Sequence, residues 1–273
     1  MRSIVTKTVL LAIFICISCM AVAQEKPLWS LAFDSDPLTD KVIDFSPNCK
    51  YIAYGTADGK VKLNNLATGA EEVSYAAHPK MTICVKFHPD GNIVASGGKD
   101  GTIKLYDLAK AADYLTIAAH DKAVMCLAFS PDGTKLFSGS RDNTVKIWDV
   151  ATGKEIFKKE DIKGNVRCIQ FNPDGKSIIL CTSALMKGVR FFNLSDGAEI
   201  RTLESANTNR IDISPNAFYL SAAMLEKEIY IWDLKTNTVA FKLAGHKKYC
   251  NDVCFSPGGK MLASASNDRT VIL

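Results

Sequence analysis

"SGSRDNTVKIWDV", residues 138–150, decides how this chain is read. It holds two serines, an Asp-Asn turn, an alternating Val-Lys-Ile run and then Trp148-Asp149. Alone, it is one buried strand with a turn in front of it. What matters is whether its surroundings recur, because an internal period changes the reading of the whole fold. They do. "VMCLAFSPDG" (124–133) is echoed by "VIDFSPN" (42–48), "TICVKFHPDG" (82–91), "VRCIQFNPDG" (166–175), "RIDISPN" (210–216) and "CNDVCFSPGG" (250–259). The apolar residues before each Ser-, His- or Asn-Pro are Phe45, Phe87, Phe129, Phe171, Ile213 and Phe255, and every step is 42 residues.

Each unit follows one internal plan. After the Pro-Asp-Gly turn comes a short apolar run such as "KLFSGS" (135–140). A tight turn follows, with Asp58-Gly59, Asp100-Gly101, Asp142-Asn143 or Asp268-Arg269. An alternating strand such as "TVKIWDV" comes next, and a further turn leads to a fourth strand such as "KEIFKK". Short alternating runs punctuated by turn formers predict antiparallel sheet. Asp-Gly pairs supply the positive φ of two-residue hairpins. Small sheets that are apolar on both faces need cover on both faces, and radial stacking provides it.

With these residues in view the chain resembles the WD40-repeat β-propeller family. Ala119-His120, the "FSPDG" turn, "SGSRDNTVKIWD" and Gly245-His246 carry the resemblance, which covers residues 28–273. It implies an all-β propeller of six four-stranded antiparallel blades, closed by the N-terminal strand "LWSLAF" (28–33) beside Thr270–Leu273. The alternative is a truncated form of a longer, seven-bladed propeller. An unclosed ring would leave unpaired edges.

The resemblance also assigns roles. A His before the inner strand, a Ser on the second strand, an Asp in the next turn and a Trp on the third strand form a buried hydrogen-bonded network. One set is complete: His120, Ser138 or Ser140, Asp142 and Trp148. The second unit has His78, Ser96 and Asp100 with Tyr106 for Trp. The fourth lacks the His, the Asp and the Trp, and its Phe192 comes two residues late. The fifth keeps Trp232, with Glu226 near the Asp position. The sixth has His246, Ser264 or Ser266, and Asp268.

The remaining features bound the function. At 273 residues and 47% apolar the chain can bury a sizeable core. Arg2 and Lys7 precede the apolar run 9–23, which ends in an Ala21-x-Ala23 pattern. This reads as a secretory signal cleaved after Ala23, leaving a propeller over 24–273. The run is short of the roughly 20 apolar residues of a membrane span. A lipoprotein through Cys19 is the weaker reading. Export makes the chain periplasmic or secreted, with no transmembrane span after cleavage. Losing Arg2 and Lys7 lowers the formal charge from +4 to +2, too little to argue for nucleic acid.

His78, His120, His246 and the turn aspartates recur one per unit, which spreads them around a ring, and His88 sits in the "FHPDG" turn. A metal site needs converging ligands, and the serines have no nucleophile-elbow context. No catalytic, metal or cofactor role is therefore assigned. Seven cysteines remain after cleavage. Cys168 and Cys181 face each other if their hairpin turns at Asp174-Gly175. In an oxidising compartment they could form a disulfide, and the other reading is two buried thiols. Propellers of this family act as platforms for proteins or peptides. Loops before the inner strands and second-to-third strand turns carry Lys99, Lys122, Arg141, Lys163, Arg210, Lys248 and Arg269, with Tyr249 as an aromatic anchor. The expectation is an exported, non-catalytic scaffold for an acidic protein or peptide. A binder of an anionic glycan or cell-envelope polymer and a propeller hydrolase are the alternatives.

Overall fold

The computed structural model describes residues 43–273 except 161, 163, 173–174, 183–187, 206–207, 257 and 269. The first sheet holds β1 (Ile43–Phe45), β2 (Tyr51–Gly55), β3 (Lys60–Asn65) and β4 (Glu71–Ala76). The second holds β5 (Thr82–Phe87), β6 (Ile93–Gly98), β7 (Thr102–Asp107) and β8 (Ala112–Ala118). The third holds β9 (Val124–Phe129), β10 (Lys135–Ser140), β11 (Val145–Asp149) and β12 (Glu155–Lys159). The fourth holds β13 (Val166–Phe171), β14 (Ser177–Thr182), β15 (Val189–Asn193) and β16 (Glu199–Leu203). The fifth holds β17 (Thr208–Ile213), β18 (Tyr219–Met224), β19 (Ile229–Asp233) and β20 (Thr238–Leu243). The sixth holds β21 (Cys250–Phe255), β22 (Leu262–Ser266) and β23 (Val271–Ile272).

Each sheet is an antiparallel meander in chain order, and together the six are the blades of a β-propeller. The sixth blade has three strands among the described residues. The expected closing strand, Leu28–Phe33, lies outside the described residues, as does the signal segment.

Register follows the 42-residue period. Leu136 lies opposite Trp148, Val94 opposite Tyr106, Ile52 opposite Asn64 and Leu220 opposite Trp232. In the fourth blade Ile178 lies opposite Phe192. The β14–β15 connection is two residues longer there, so Phe192 occupies the tryptophan's place.

Each core cluster draws on two neighbouring blades. Cys84, Ile103 and Leu105 of the second blade pack with Val124, Leu136 and Trp148 of the third. The third and fourth share Phe137, Ile147, Ile178 and Phe192. Inner strands pack in sequence, β1 on β5, β5 on β9, β9 on β13, β13 on β17 and β17 on β21. The outer strands are wet, and β20 is exposed along its whole length.

Close approach between blades dictates small residues on the second strand. A Cβ on Gly139 would lie 2.5 Å from Val166 Cγ1 of the next blade, and one on Gly97 would lie 2.7 Å from Val124 Cγ1. The turns after the inner strands need a left-handed residue. Gly91, Gly133, Gly175 and Gly259 supply it, with φ between 65° and 77°. Cys49 and Ala217 hold the same position at φ 54° and 57° without that freedom.

Candidate interaction face and the network behind it

The third blade brings its predicted set together. Trp148 Nε1 donates to Ser138 Oγ at 2.8 Å, and Ser138 Oγ lies 2.7 Å from His120 Nε2. His120 Nδ1 lies 2.9 Å from Asp142 Oδ2, and Thr144 Oγ1 donates to Asp142 Oδ1 at 2.7 Å. These partners assign the protons. Nδ1–H gives to the carboxylate and Nε2 accepts from the serine, so the imidazole is neutral. Ser138 is fully buried, and this chain satisfies every polar group the site hides.

The choice between the two serines is settled by direction. Ser140 is not in the chain. Its hydroxyl donates to the Lys122 carbonyl at 3.2 Å and accepts from the Asp142 N–H at 3.1 Å. It ties the β10–β11 turn to the loop before β9.

The second blade repeats the arrangement without the indole. His78 Nε2 lies 3.0 Å from Ser96 Oγ, and its Nδ1 lies 3.3 Å from Asp100 and 2.9 Å from Thr102 Oγ1. Tyr106 stacks on Tyr75 with ring centroids 3.8 Å apart. In the sixth blade His246 lies 2.9 Å from Ser264 Oγ and 3.1 Å from Asp268. Ser266, like Ser140, donates to backbone carbonyls, those of Lys248 and Tyr249.

The fourth blade replaces the set with carbon. Ile162, Leu180 and Phe192 hold the His, Ser and Trp places and share one core cluster. In the fifth, Ala222 stands for the serine and exposed Glu204 for the histidine, while Trp232 is still buried beside Tyr230. The threonines were missed by sequence reasoning. Their signal was present, since Thr102, Thr144 and Thr270 each follow the turn aspartate by two residues.

Burial holds the His120 and His78 side chains below the ordinary histidine pKa, against the pull of Asp142 and Asp100. Burial opposes ionisation of Asp142 too. Hydrogen bonds from Thr144 and the nearby His120 nevertheless keep its carboxyl below the usual range.

The network orients a surface. Lys99 N–H donates to the Met81 carbonyl at 2.9 Å, Arg141 N–H to that of Ala123 at 3.1 Å, and Asn267 N–H to that of Tyr249 at 3.2 Å. The same bond, at the same repeat position in the second, third and sixth blades, pins the second-to-third strand turn beside the loop before an inner strand. Lys99, Lys122, Arg141, Lys248 and Tyr249 are all exposed there. Asp100, Asp142 and Asp268 are turned inward onto histidines. Lys163 and Arg269 lie outside the described residues.

Arg210 is a correction. It was expected on the rim but lies inside β17, and its guanidinium donates to the Arg167 carbonyl of the preceding blade. The strand begins at Thr208, and the 42-residue period sets Arg210 level with Cys84, Cys126 and Cys168 inside the inner strand rather than in the loop before it.

A cleft of about 520 Å³ opens beside this face, lined by Asp121, Asp142, Asn143, Lys146, Lys158 and Glu160 among others. Its charges are internally matched, Lys146 with Glu155 and Lys158 with Glu160. Among the described residues no three His, Cys, Asp or Glu side chains converge as metal ligands, and no helix is long and apolar enough to cross a membrane.

Residues 69–107, 113–149 and 237–273 match the sequence profile described as WD domain, G-beta repeat. The chain therefore carries WD40 repeats, and the three matched stretches are the ones that contain His78, His120 and His246. The Set1 complex component swd1 of Schizosaccharomyces pombe is 33% identical over 72 residues, 26% of this chain and 18% of that protein. The human U5 small nuclear ribonucleoprotein 40 kDa protein is 30% identical over 67 residues, 24% of this chain and 19% of its own length. The nuclear distribution protein PAC1 of Arthroderma benhamiae is 40% identical over 58 residues, 21% of this chain and 12% of its own. The aligned stretches thus span under a fifth of these relatives. A chain in a structure titled "Crystal Structure of Mitotic Checkpoint Complex" superposes with a TM-score of 0.77, covering 84% of this chain and 72% of that one at 21% identity. At that identity the likeness shows the fold.

Two outcomes follow for the network. Trp148→Ala removes a buried indole and the donor to Ser138, and is expected to cost about 3–5 kcal/mol. Urea titration checks this, and an unchanged midpoint contradicts the assigned role. The second concerns acid. A histidine with a lowered folded pKa binds fewer protons than the unfolded chain below the ordinary value of 6.5, so its contribution is full above that pH and fades as pH falls through it. Protonated Nε2 can no longer accept from Ser138. Asp212, which burial pushes up to about 6, acts with the opposite sign, so a variant comparison is needed. The loss of stability between pH of about 7.5 and 5.5 is expected to be smaller in His120→Gln than in wild type. Equal losses would clear His120.

Proposed function

We propose that this chain is an exported, non-catalytic scaffold that captures an acidic protein or peptide on the loop face of its propeller. The observation that carries the reading is the repeated backbone bond that sets Lys99 and Arg141 beside the loops of Met81 and Ala123. Basic side chains point out from a rim whose aspartates are spent on buried histidines. A rigid rim with an excess of basic side chains steers encounter, while buried anchors set residence time. Ile83, Ala123 and Met125, with half-buried Met81 packed on them, form a buried apolar cluster under the loops of the second and third blades, and Tyr249 stands 37% exposed next to Lys248. The names of two relatives, a Set1 complex component and a U5 small nuclear ribonucleoprotein protein, place those proteins in multicomponent assemblies, which supports a platform role here. The non-catalytic part of the reading rests on the polar residues of the repeat being engaged with one another, as in His120, Ser138 and Asp142.

The double variant Lys122→Glu/Arg141→Glu is expected to fold and to bind a poly-glutamate peptide more slowly than wild type, with the difference shrinking at high salt. Equal association rates at low ionic strength would remove this face from consideration. Stronger capture of an anionic polysaccharide than of the peptide would favour the glycan reading. Export rests on the 1–23 segment and its Ala21-x-Ala23 end. Expressed in a bacterial host from its own Met1, the chain is expected outside the cytoplasm with Gln24 as its first residue. Recovery from the cytoplasm with Met1 or Arg2 leading would overturn that.

A further inference from the structure

All seven described cysteines are thiols, and two are placed unlike the rest. The β13–β14 register sets Cys168 directly opposite Cys181. Both sulfurs point at the same neighbour, β17. Cys168 Sγ lies 3.9 Å from the Ile211 carbonyl, and Cys181 Sγ lies 3.4 Å from that of Asn209. Earlier blades show what this backbone does at the Cys181 position. There it is Gly97 or Gly139, and a Cβ added to either would sit 2.6 Å from Cys84 Sγ or 2.8 Å from Cys126 Sγ. Across a disulfide, a Cβ lies roughly 3 Å from its partner's sulfur. The repeat therefore aims this Cβ at the opposing sulfur in every such blade. Only in β14 does it carry a sulfur of its own.

A cation completes the arrangement. Arg210, on β17, donates to the carbonyl of Arg167, the residue before Cys168. Its charge acts on Cys168, Cys181, Cys126 and Cys84, with Asp252 as the opposing carboxylate. The hydrogen bond from Cys181, helped by Arg210 against the burial, holds the Cys168 thiol below its ordinary value. Burial pushes Cys181 up, and Cys84 is pushed up to about 12. Of the pair, Cys168 is the thiol that loses its proton more readily and so the better nucleophile.

We propose that Cys168 and Cys181 are a redox-active dithiol on the first two strands of the fourth blade, closed to a cross-strand disulfide by a hydroperoxide and reopened by a small thiol, with Cys168 attacking and Arg210 as its positioning residue. The Cys168 thiolate attacks a peroxide oxygen and the O–O bond breaks. The departing hydroxide takes a proton and leaves as water, and Cys168 becomes a sulfenic acid. Cys181 loses its proton and attacks that sulfur, the S–O bond breaks, and a second water leaves. Two thiols give up two electrons and hydrogen peroxide accepts them. Reopening consumes two equivalents of thiol, which leave as their own disulfide. The pair stands apart from the basic rim, so its test is independent of the scaffold reading.

The experiment uses the full folded chain and hydrogen peroxide, followed by trypsin and mass spectrometry. Cleavage after Arg167, Lys176 and Lys187 separates the two cysteines into peptides 168–176 and 177–187. Wild type is expected to yield these two joined and two hydrogens lighter, and to release them after a small thiol is added. In Cys181→Ser, Cys168 is expected to stop at the sulfenic acid, trapped by dimedone. In Arg210→Met, the pH profile of Cys168 alkylation by iodoacetamide is expected to move to higher pH, with Arg210→Lys returning it towards wild type. That movement is a readout a packing role would not produce. The proposal is overturned if folded wild type gives no joined pair, if Cys84 or Cys126 is joined instead, or if the alkylation profile is the same in folded Arg210→Met.

Discussion

A sheet with apolar side chains on both faces cannot stand alone in water, and everything else in this molecule answers to that constraint. The third blade puts Leu136 and Trp148 into a cluster with the second blade, and Phe137 and Ile147 into a cluster with the fourth. No blade owns its core. Radial stacking is the arrangement that covers both faces of each sheet, and it demands close approach, which is why Gly97 and Gly139 carry no side chain. Outer strands escape the demand, so β20 is exposed throughout.

Within that frame the buried polar chain is optional: the third blade keeps all of it, the second and sixth keep its His-Ser-Asp part, and the fourth replaces it with carbon. Where His120 is present, Ser138, Asp142 and Trp148 are present to satisfy it. Where the histidine is Ile162, the serine is Leu180 and the tryptophan is Phe192. A lone buried imidazole or hydroxyl would cost the desolvation of an unpaired group, about 1–3 kcal/mol. Replacing every partner together avoids that cost. The three blades that keep the histidine are also the three stretches that match the WD repeat profile.

The same chemistry shapes the surface. Turning Asp100, Asp142 and Asp268 inward draws negative charge off the loop face and leaves lysines and arginine outward. A stabilising device inside the blade thereby sets the sign of the rim outside it. Charge on the inner strands is arranged differently. Asp44 accepts from Lys86 and from the Phe87 N–H of the next blade, and Asp212 accepts from the Phe255 N–H at 2.7 Å. These carboxylates join neighbouring blades.

The sequence by itself determined the unit, its period and the order of strands, because each is written in local pattern, while the resemblance it carries named the His, Ser, Asp and Trp of the polar chain but not its threonines. Turn formers recur at fixed offsets, alternation marks the strands, and a hydrogen-bonded set within one blade spans few residues. Tertiary structure decided what depends on direction and on neighbours. Ser138 and Ser140 are two apart on one strand, yet only Ser138 faces the indole, while Ser140 reaches back to the Lys122 carbonyl. Arg210 was read as a rim residue, but the 42-residue period sets it level with Cys168 and Cys126 inside the inner strand, and its guanidinium reaches across to the Arg167 carbonyl. The pairing of Cys168 with Cys181 was legible from the hairpin. The cation beside it comes from the next blade, and no pattern within one unit can show what the following unit brings against it.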